Sequence, residues 1–321
     1  MSEEGDLLTV TGEGLELAVS RSTGLIRHFR TGDRDLLLEG PAPEFWRPPT
    51  DNDFGGRWQE RLGVWKDAGK SMAVEDVRVL EHRGPVVTIQ VTGRVPVGDS
   101  RIVLRYTVHG DGLVEVEEEF RPGMDPAAEN APPRMPRFGM RMSLPGDLDQ
   151  AEWFGLGPHE SYWDRKTGVR VGRYRAPVSD LYFPYVRPQE NGNRADTRWM
   201  ALTRADGSGL LVVGDPVAEV TALHYFPEDL DPGMEKAQRH AGELRARDLV
   251  SLTVDLRQMG VGGINSWGTT GLEEYSLPFG PYRYRYLLRP IPPGDHDRAE
   301  LARDARARGG TRAPAMEDDR P

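Results

Sequence analysis

The sequence has no cysteine among its 321 residues, which excludes disulfides, a thiol nucleophile and a thiolate metal site. Histidine is scarce, seven in all. No two histidines have the HxxH-type spacing of a zinc site. No apolar run approaches the roughly 20 residues of a membrane span. The opening Met1-Ser-Glu-Glu-Gly-Asp6 lacks the basic and apolar regions of a signal peptide, so a soluble, cytoplasmic protein is expected. Basic charge is outweighed, with 41 Lys and Arg against 51 Asp and Glu and a net charge of −10. That balance argues against nucleic acid or an anionic membrane as partner. Nearly absent too are strand–helix–strand units, so a (β/α)8 barrel cannot be built from this chain.

What is present is punctuation. The 37 Gly and 26 Pro are dispersed between short apolar stretches, the signature of many short strands. Strand-like pieces fall at 7–10, 15–19 and 36–38. From 74 to 120 the alternation is clean: Val87, Ile89 and Val91 share a face, as do Ile102, Leu104, Tyr106 and Val108. Val114, Val116 and Phe120 oppose Glu115, Glu117 and Glu119, which predicts one buried and one solvated face and no catalytic role for these acids. His109-Gly-Asp-Gly112 is a hairpin turn. Five prolines between 121 and 137 predict an exposed loop. Further strands are expected at 138–144, 210–213, 219–225, 250–256 and 282–288.

Helix is expected in few places. Trp58, Leu62 and Trp65 fall on one face of a short helix ending near Gly69, and 227–247 has helix-forming composition. The run 298–308 reads as a frayed helix inside a polar tail, 290–321, whose last dozen residues are expected to be disordered. Residues 1–289 read as one large antiparallel β domain, two extensive sheets packed face to face.

Polar and aromatic residues gather in loops. Arg257-Gln-Met-Gly-Val-Gly-Gly-Ile-Asn-Ser-Trp-Gly268 follows a strand and holds four glycines in its last nine residues. Glycines at this density let backbone pass where a Cβ would clash. Such a loop can hold Trp267 as a flat apolar platform for a sugar ring, or as a core side chain after a tight turn. Phe45-Trp-Arg-Pro-Pro-Thr-Asp-Asn-Asp-Phe-Gly-Gly56 reads as turn chemistry, since three adjacent polar residues are not the alternating ligands of a calcium loop. In 153–168 and 184–194, His159 could serve as an acid or base or as a structural residue. Arg47, Asn52, Gln189 and Asn191 fit loop-holding and ligand contact equally well.

Taken together these motifs resemble the C-terminal domain of the large bacterial β-galactosidases of glycoside hydrolase family 2, in some bacteria a separate small subunit. The resemblance runs from about 7 to about 289. It rests on Arg47-Pro-Pro-Thr-Asp-Asn-Asp53 with Trp65-Lys66 and Ala68-Gly69; Gly155-Leu-Gly-Pro-His-Glu-Ser-Tyr162 with Asp164-Arg165; Tyr185-Val-Arg-Pro-Gln-Glu-Asn-Gly192 with Thr197-Arg198; His224-Tyr225; and Gln258-Met-Gly-Val-Gly-Gly263 with Ser266-Trp267. It implies an all-β fold, a β-supersandwich similar to that of galactose mutarotases. It also implies that Trp267 reaches the galactosidase active site as part of the substrate platform. Family members commonly carry two aspartates before the Ser-Trp, where this chain has Ile264 and Asn265.

The family's glutamate acid/base, glutamate nucleophile and magnesium and sodium ligands lie on the barrel, and no stretch here matches them. The expectation is therefore a component with no catalytic residue, metal or cofactor of its own. It would complete a retaining β-galactosidase on a partner barrel and contribute Trp267, with Asn265, His159 and Asn191 as further substrate contacts. Competing with this are a free-standing mutarotase, with His159, Glu160, His224 and Glu273 as candidates, and a noncatalytic carbohydrate-binding module.

Overall fold

The computed structural model describes residues 1–310 except 266 and 270. The tail expected to be disordered lies outside the described residues from 311 on, as does Ser266 of the Ser-Trp motif. Five strands open the chain as an antiparallel meander: β1 (Ser2–Glu4), β2 (Leu7–Gly12), β3 (Leu15–Ser20), β4 (Ile26–Thr31) and β5 (Arg34–Leu37). Leu8, Leu17, Val19, Ile26 and Phe29 are its buried face. After β6 (Glu39–Glu44) come two short helices, α1 (Asp51–Gly55) and α2 (Trp58–Arg61). Four long strands follow: β7 (Ala73–Arg83), β8 (Val86–Val95), β9 (Ser100–His109) and β10 (Val114–Arg121). The second half contributes β11 (Arg137–Pro145), β12 (Gln150–Gly157), β13 (Arg170–Pro177), β14 (Arg194–Thr203), β15 (Gly209–Leu223), α3 (Pro227–Leu230), β16 (Leu249–Gln258), β17 (Tyr282–Ile291) and α4 (Arg298–Arg308).

One large antiparallel sheet runs β13-β12-β14-β15-β17-β10-β9-β8-β7. Strand β15, 15 residues long, belongs to two layers. Its first half pairs with β17, while Glu219 to Leu223 pair with β16, which carries β11 and β6 beyond it. The second layer lies over the first. Phe138 of β11 packs on Tyr282 and Tyr284 of β17, with ring centroids 5.3 and 5.5 Å apart. The Tyr284 hydroxyl donates across the gap to the Val254 carbonyl at 2.7 Å. The fold is all-β, a supersandwich of large antiparallel sheets with few short helices.

The alternating pattern from 74 to 120 forms the strands it predicts, with Ile89 opposite Tyr106 and Val116 opposite Tyr106 from the other side. At the hairpin His109 donates its N–H to the Leu113 carbonyl at 2.8 Å, and Gly112 takes φ 91°, which few side chains tolerate. The acidic face is less wet than its spacing implies. Arg105 and Arg283 bracket Glu117, which is buried, and Arg285 and His109 bracket Glu115. One acid is on the wrong side of that pattern: Glu118 points into the core, fully buried beside Tyr284.

Helical composition proved a weaker guide than strand alternation. Trp58, Leu62 and Trp65 are all buried as expected, through α2 and a following 3-10 turn, Gly63–Trp65. Residues 227–247 do not form a helix beyond α3 and a 3-10 turn, Ala241–Glu243. That stretch has no continuous apolar stripe to bury, and side-chain bonds tie it down as a loop. Asp229 pairs with Arg247 at 2.6 Å, and Asp231 accepts from the Trp46 indole at 2.9 Å and Lys66 at 2.8 Å. The run 298–308 is instead an ordered helix. Its N-cap Asp297 accepts from Ala299 N, and Ala302 and Ala305 are buried against Trp199, Leu211, Val213 and Leu287 on the outer face of the sheet. Arginine anchors finish the job: Arg306 donates to the carbonyls of Arg198, Gly214 and Pro216.

Candidate functional site

Three of the loops marked in the sequence are joined by hydrogen bonds, and the tryptophan loop lies between the other two. Past the end of β16, Met259 N donates to Pro136 O at 2.8 Å and Gly260 N to Tyr275 O at 2.9 Å. Arg47, fully buried, reaches up from below. Its Nη1 binds Asp53 Oδ2 at 2.6 Å and its Nη2 donates to Gly260 O at 3.2 Å. Burial alone would depress the Arg47 guanidinium, but Asp53 overrides that and raises its pKa.

Asp53 is also the N3 residue of a capping box on α1. Its carboxylate accepts from Thr50 N at 2.7 Å and the Thr50 hydroxyl accepts from Asp53 N at 3.3 Å. The Asp51-Asn52-Asp53 run thus opens a short helix instead of forming a simple turn. Among the described residues no three His, Cys, Asp or Glu converge as a metal site.

The other end of α1 is the bed for Trp267. A Cβ on Gly55 would lie 2.7 Å from the Gly268 Cα, and one on Gly268, at φ 90°, would run into the Gly55 carbonyl. Gly263 rests as closely on the Asn52 amide. From the opposite side Asp164 accepts from Gly262 N at 2.7 Å. Inside the loop Asn265 Oδ1 accepts from Trp267 N at 2.9 Å and Asn265 Nδ2 donates to the Thr269 hydroxyl at 2.9 Å. Trp267 stands 87% exposed on this support, with Ile264 beside it at 66%. The core alternative for Trp267 is thereby ruled out.

The neighbouring loops hold one another. Asn193 Nδ2 donates to Ser161 O, and Asn193 O accepts from Ser161 N, both at 2.8 Å. Glu160 accepts from Gly192 N at 2.7 Å, from the Tyr185 hydroxyl and from Arg165. Asn191 is buried, with Oδ1 accepting from Phe183 N at 3.1 Å and Nδ2 donating to Gln189 O at 3.0 Å. Gln189 in turn accepts from Asp51 N at 3.3 Å. His159 is exposed beside Glu160. His224 bonds through Nδ1 to the Leu249 carbonyl at 2.8 Å, and Glu273 pairs with Arg134 at 2.9 Å. Among the described residues no hydrogen bond or ion pair joins His159, His224 and Glu273 to one another.

Beneath these loops lies a group that no sequence pattern announced. Arg137, at the start of β11, faces Asp255 at 3.2 Å and Glu190 at 3.4 Å, all three buried. Glu219 is fully buried nearby and accepts from Gln258 N at 3.3 Å. Burial pushes Glu219 up to about 7, and Glu118 and Asp255 well above the carboxylate range. Such values suit proton transfer, but the cavity lined by Arg137 and Glu190 measures about 20 Å³. That holds about one water, whereas ligand sites run to about 300–1,000 Å³. Glu118, Glu219 and Asp255 themselves are fully buried. Glu219 and Asp255 pair across β15 and β16 and so share a face, and because both faces of these strands are covered their burial could not be read from alternation.

The chain matches the model of the family described as beta galactosidase small chain over residues 11–288. It is 34% identical over 285 residues to a β-galactosidase of Priestia megaterium, covering 88% of this chain and 26% of that protein. It is 31% identical over 277 residues to one of Halalkalibacterium halodurans, covering 85% of this chain and 26% of that protein. A galactose 1-epimerase structure from Lactobacillus acidophilus is similar with a TM-score of 0.49 at 10% identity, covering 90% of this chain and 97% of that one. The chain therefore spans about a quarter of the length of the β-galactosidases it matches. With a family match over nearly all of its sandwich, the chain belongs to the β-galactosidase small-chain family.

Proposed function

We propose that this chain completes the active site of a retaining β-galactosidase whose catalytic carboxylates and metal ions are carried by a partner (β/α)8 barrel. The observation that carries the reading is Trp267, 87% exposed on a loop braced from three sides. A large flat side chain held out in solvent by such a loop is placed for contact outside its own chain. An indole there gives a terminal galactoside a stacking face and removes water from the reacting bond, which orients substrate for attack.

Retaining hydrolysis needs two carboxyls about 5–5.5 Å apart flanking an accessible bond. The buried acids of this chain lack that access, which supports assigning the chemistry to the partner. Within the proposed site Trp267 is the platform and Asn265 its internal brace. His159, exposed beside Glu160, is a candidate sugar contact. Asn191 acts from inside, fixing the 184–194 loop through both ends of its amide. Mixing the chain with a candidate large chain and assaying β-galactoside hydrolysis tests the reading. Restored hydrolysis and co-purification are expected. A large chain fully active alone, with no association, would overturn it.

A further inference from the structure

We propose that Glu219 is a positioning residue that locks the root of the tryptophan loop to the two loops beside it, and that its ionisation shifts Trp267. This rests on the reading of Trp267 as the substrate platform, and deepens it by naming what sets the platform's position. Glu219 stands in the second half of β15, opposite Asp255 on β16. Its Oε2 receives Gln258 N at 3.3 Å, where β16 gives way to the tryptophan loop. The same oxygen receives Asn193 Nδ2 at 3.4 Å, and that amide also binds Ser161 O at 2.8 Å. One carboxylate oxygen therefore touches the base of the 257–268 loop and, through Asn193, the 184–194 and 153–168 loops.

The other oxygen is unmatched. Glu219 Oε1 is buried without a hydrogen bond and faces Arg257 Nη1 at 3.8 Å. Arg257 is shared: it lies 3.9 Å from Asp196 and over the ring of Trp163 at 5.5 Å. Trp163 packs on Tyr275 at 5.6 Å, and Tyr275 O receives Gly260 N at 2.9 Å. An ionised Glu219 draws Arg257 inward; a protonated one releases it toward Asp196. Either change is passed through Trp163 and Tyr275 to the loop that holds Trp267.

The charges around Glu219 set where this happens. Burial raises its pKa to about 7, Arg257 and Arg137 pull it back, and Asp196 pushes it up. Asp255 faces it from β16, itself raised well above the carboxylate range by burial. Asp196 is partly neutralised by Lys166 at 2.6 Å, and Arg137 is shared with Glu190.

The test uses the full chain labelled with 5-fluorotryptophan, the Trp267 fluorine resonance being assigned by its loss in Trp267→Phe. Between pH 5 and 9 that resonance should shift with a midpoint near 7. In Glu219→Gln, which keeps the shape and the acceptor oxygen but cannot ionise, the shift should vanish. Removing the cation with Arg257→Met should move the midpoint to higher pH, and it serves as the second test should Glu219→Gln fold poorly. A Trp267 resonance that ignores pH, or titrates identically in Glu219→Gln, overturns the proposal. So does an unchanged midpoint in Arg257→Met. These readings need no partner chain, so failed reconstitution of hydrolysis would count against the galactosidase reading alone.

Discussion

Gly268 lays its backbone directly on Gly55, and neither position has room for a methyl group. The contact fixes how far the tryptophan loop stands from α1. A side chain on Gly55 would meet the Gly268 Cα at 2.7 Å, and one on Gly268 would also be strained at φ 90°. Gly55→Ala and Gly268→Ala should therefore fold, because the displaced segment is an exposed loop, but should lift Trp267 from its place. A misplacement of about 1 Å can cost roughly 100-fold in rate. Activity restored on mixing with a large chain should fall at least tenfold, while co-purification persists. Retained activity in both variants would mean the loop's position is not set here.

Arg47 and Asp53 form a buried pair that serves two purposes at once, capping α1 and carrying Gly260. Removing one member of a buried pair leaves an uncompensated charge, at a cost of about 3–5 kcal/mol. Arg47→Met should be destabilising on that scale in urea unfolding. Arg47→Lys should recover only part of it, since one ammonium cannot span both Asp53 oxygens and Gly260 O. A change below about 1 kcal/mol in Arg47→Met would show that the pair contributes little beyond its neighbours.

These two examples also show what the sequence could and could not reveal. Strands β8, β9 and β10 were legible because a strand buried on one face must alternate, and their residues do. Trp267 was legible through its glycines, but whether its indole faced core or solvent depended on Gly55 and Asn52, some 200 residues away. Helix α4 was underestimated because it buries alanines and holds on through arginines, leaving no apolar stripe to see. The residues 227–247 erred the other way, since helix-forming composition without an apolar face gives nothing for packing to reward. Glu118, Glu219 and Asp255 were invisible for a different reason. Acids in strands are ordinarily solvated, and only the second layer, joined to the first where β15 passes from β17 to β16, buries them.

That buried group makes stability depend on pH in a definite direction. Glu219 has a folded pKa of about 7 against an ordinary 4.5, so the folded chain binds more protons than the unfolded one between those values. Its stabilising contribution is full below pH 4.5 and is lost as pH rises to about 7, roughly 3 kcal/mol for a shift of this size. Glu228 works oppositely: Arg141 and Lys70 hold it at about 2 against the opposing effect of burial, so its contribution is lost as pH falls from 4.5 toward 2. Urea unfolding of the wild type against Glu219→Gln should show the difference between them changing from pH 4.5 to 7 and level above it. A constant difference across that window would contradict the assigned ionisation.

Helix α4 covers an apolar patch of sheet that includes Trp199, Leu211, Val213 and Leu287. Ala305→Glu would force a charge onto that patch, and the helix should lift off rather than bury it. The expected result is a lower unfolding midpoint together with self-association through the uncovered sheet, read as a concentration-dependent sedimentation coefficient. A variant as stable and as monodisperse as its parent would mean that the arginine anchors alone keep the helix in place.

Trp267→Ala separates the two roles a tryptophan can have. An indole 87% exposed buries little on folding, so the stability change should stay within about 0.5 kcal/mol. On the proposed reading, the same substitution in the complex with a large chain should raise KM and lower kcat/KM for β-galactosides by tenfold or more, through loss of the proposed stacking face. Trp267→Phe keeps a smaller flat ring and should fall between. Unfolding of Trp267→Ala in the isolated chain, or full hydrolysis by its complex, would leave the exposed ring without a part in binding the sugar.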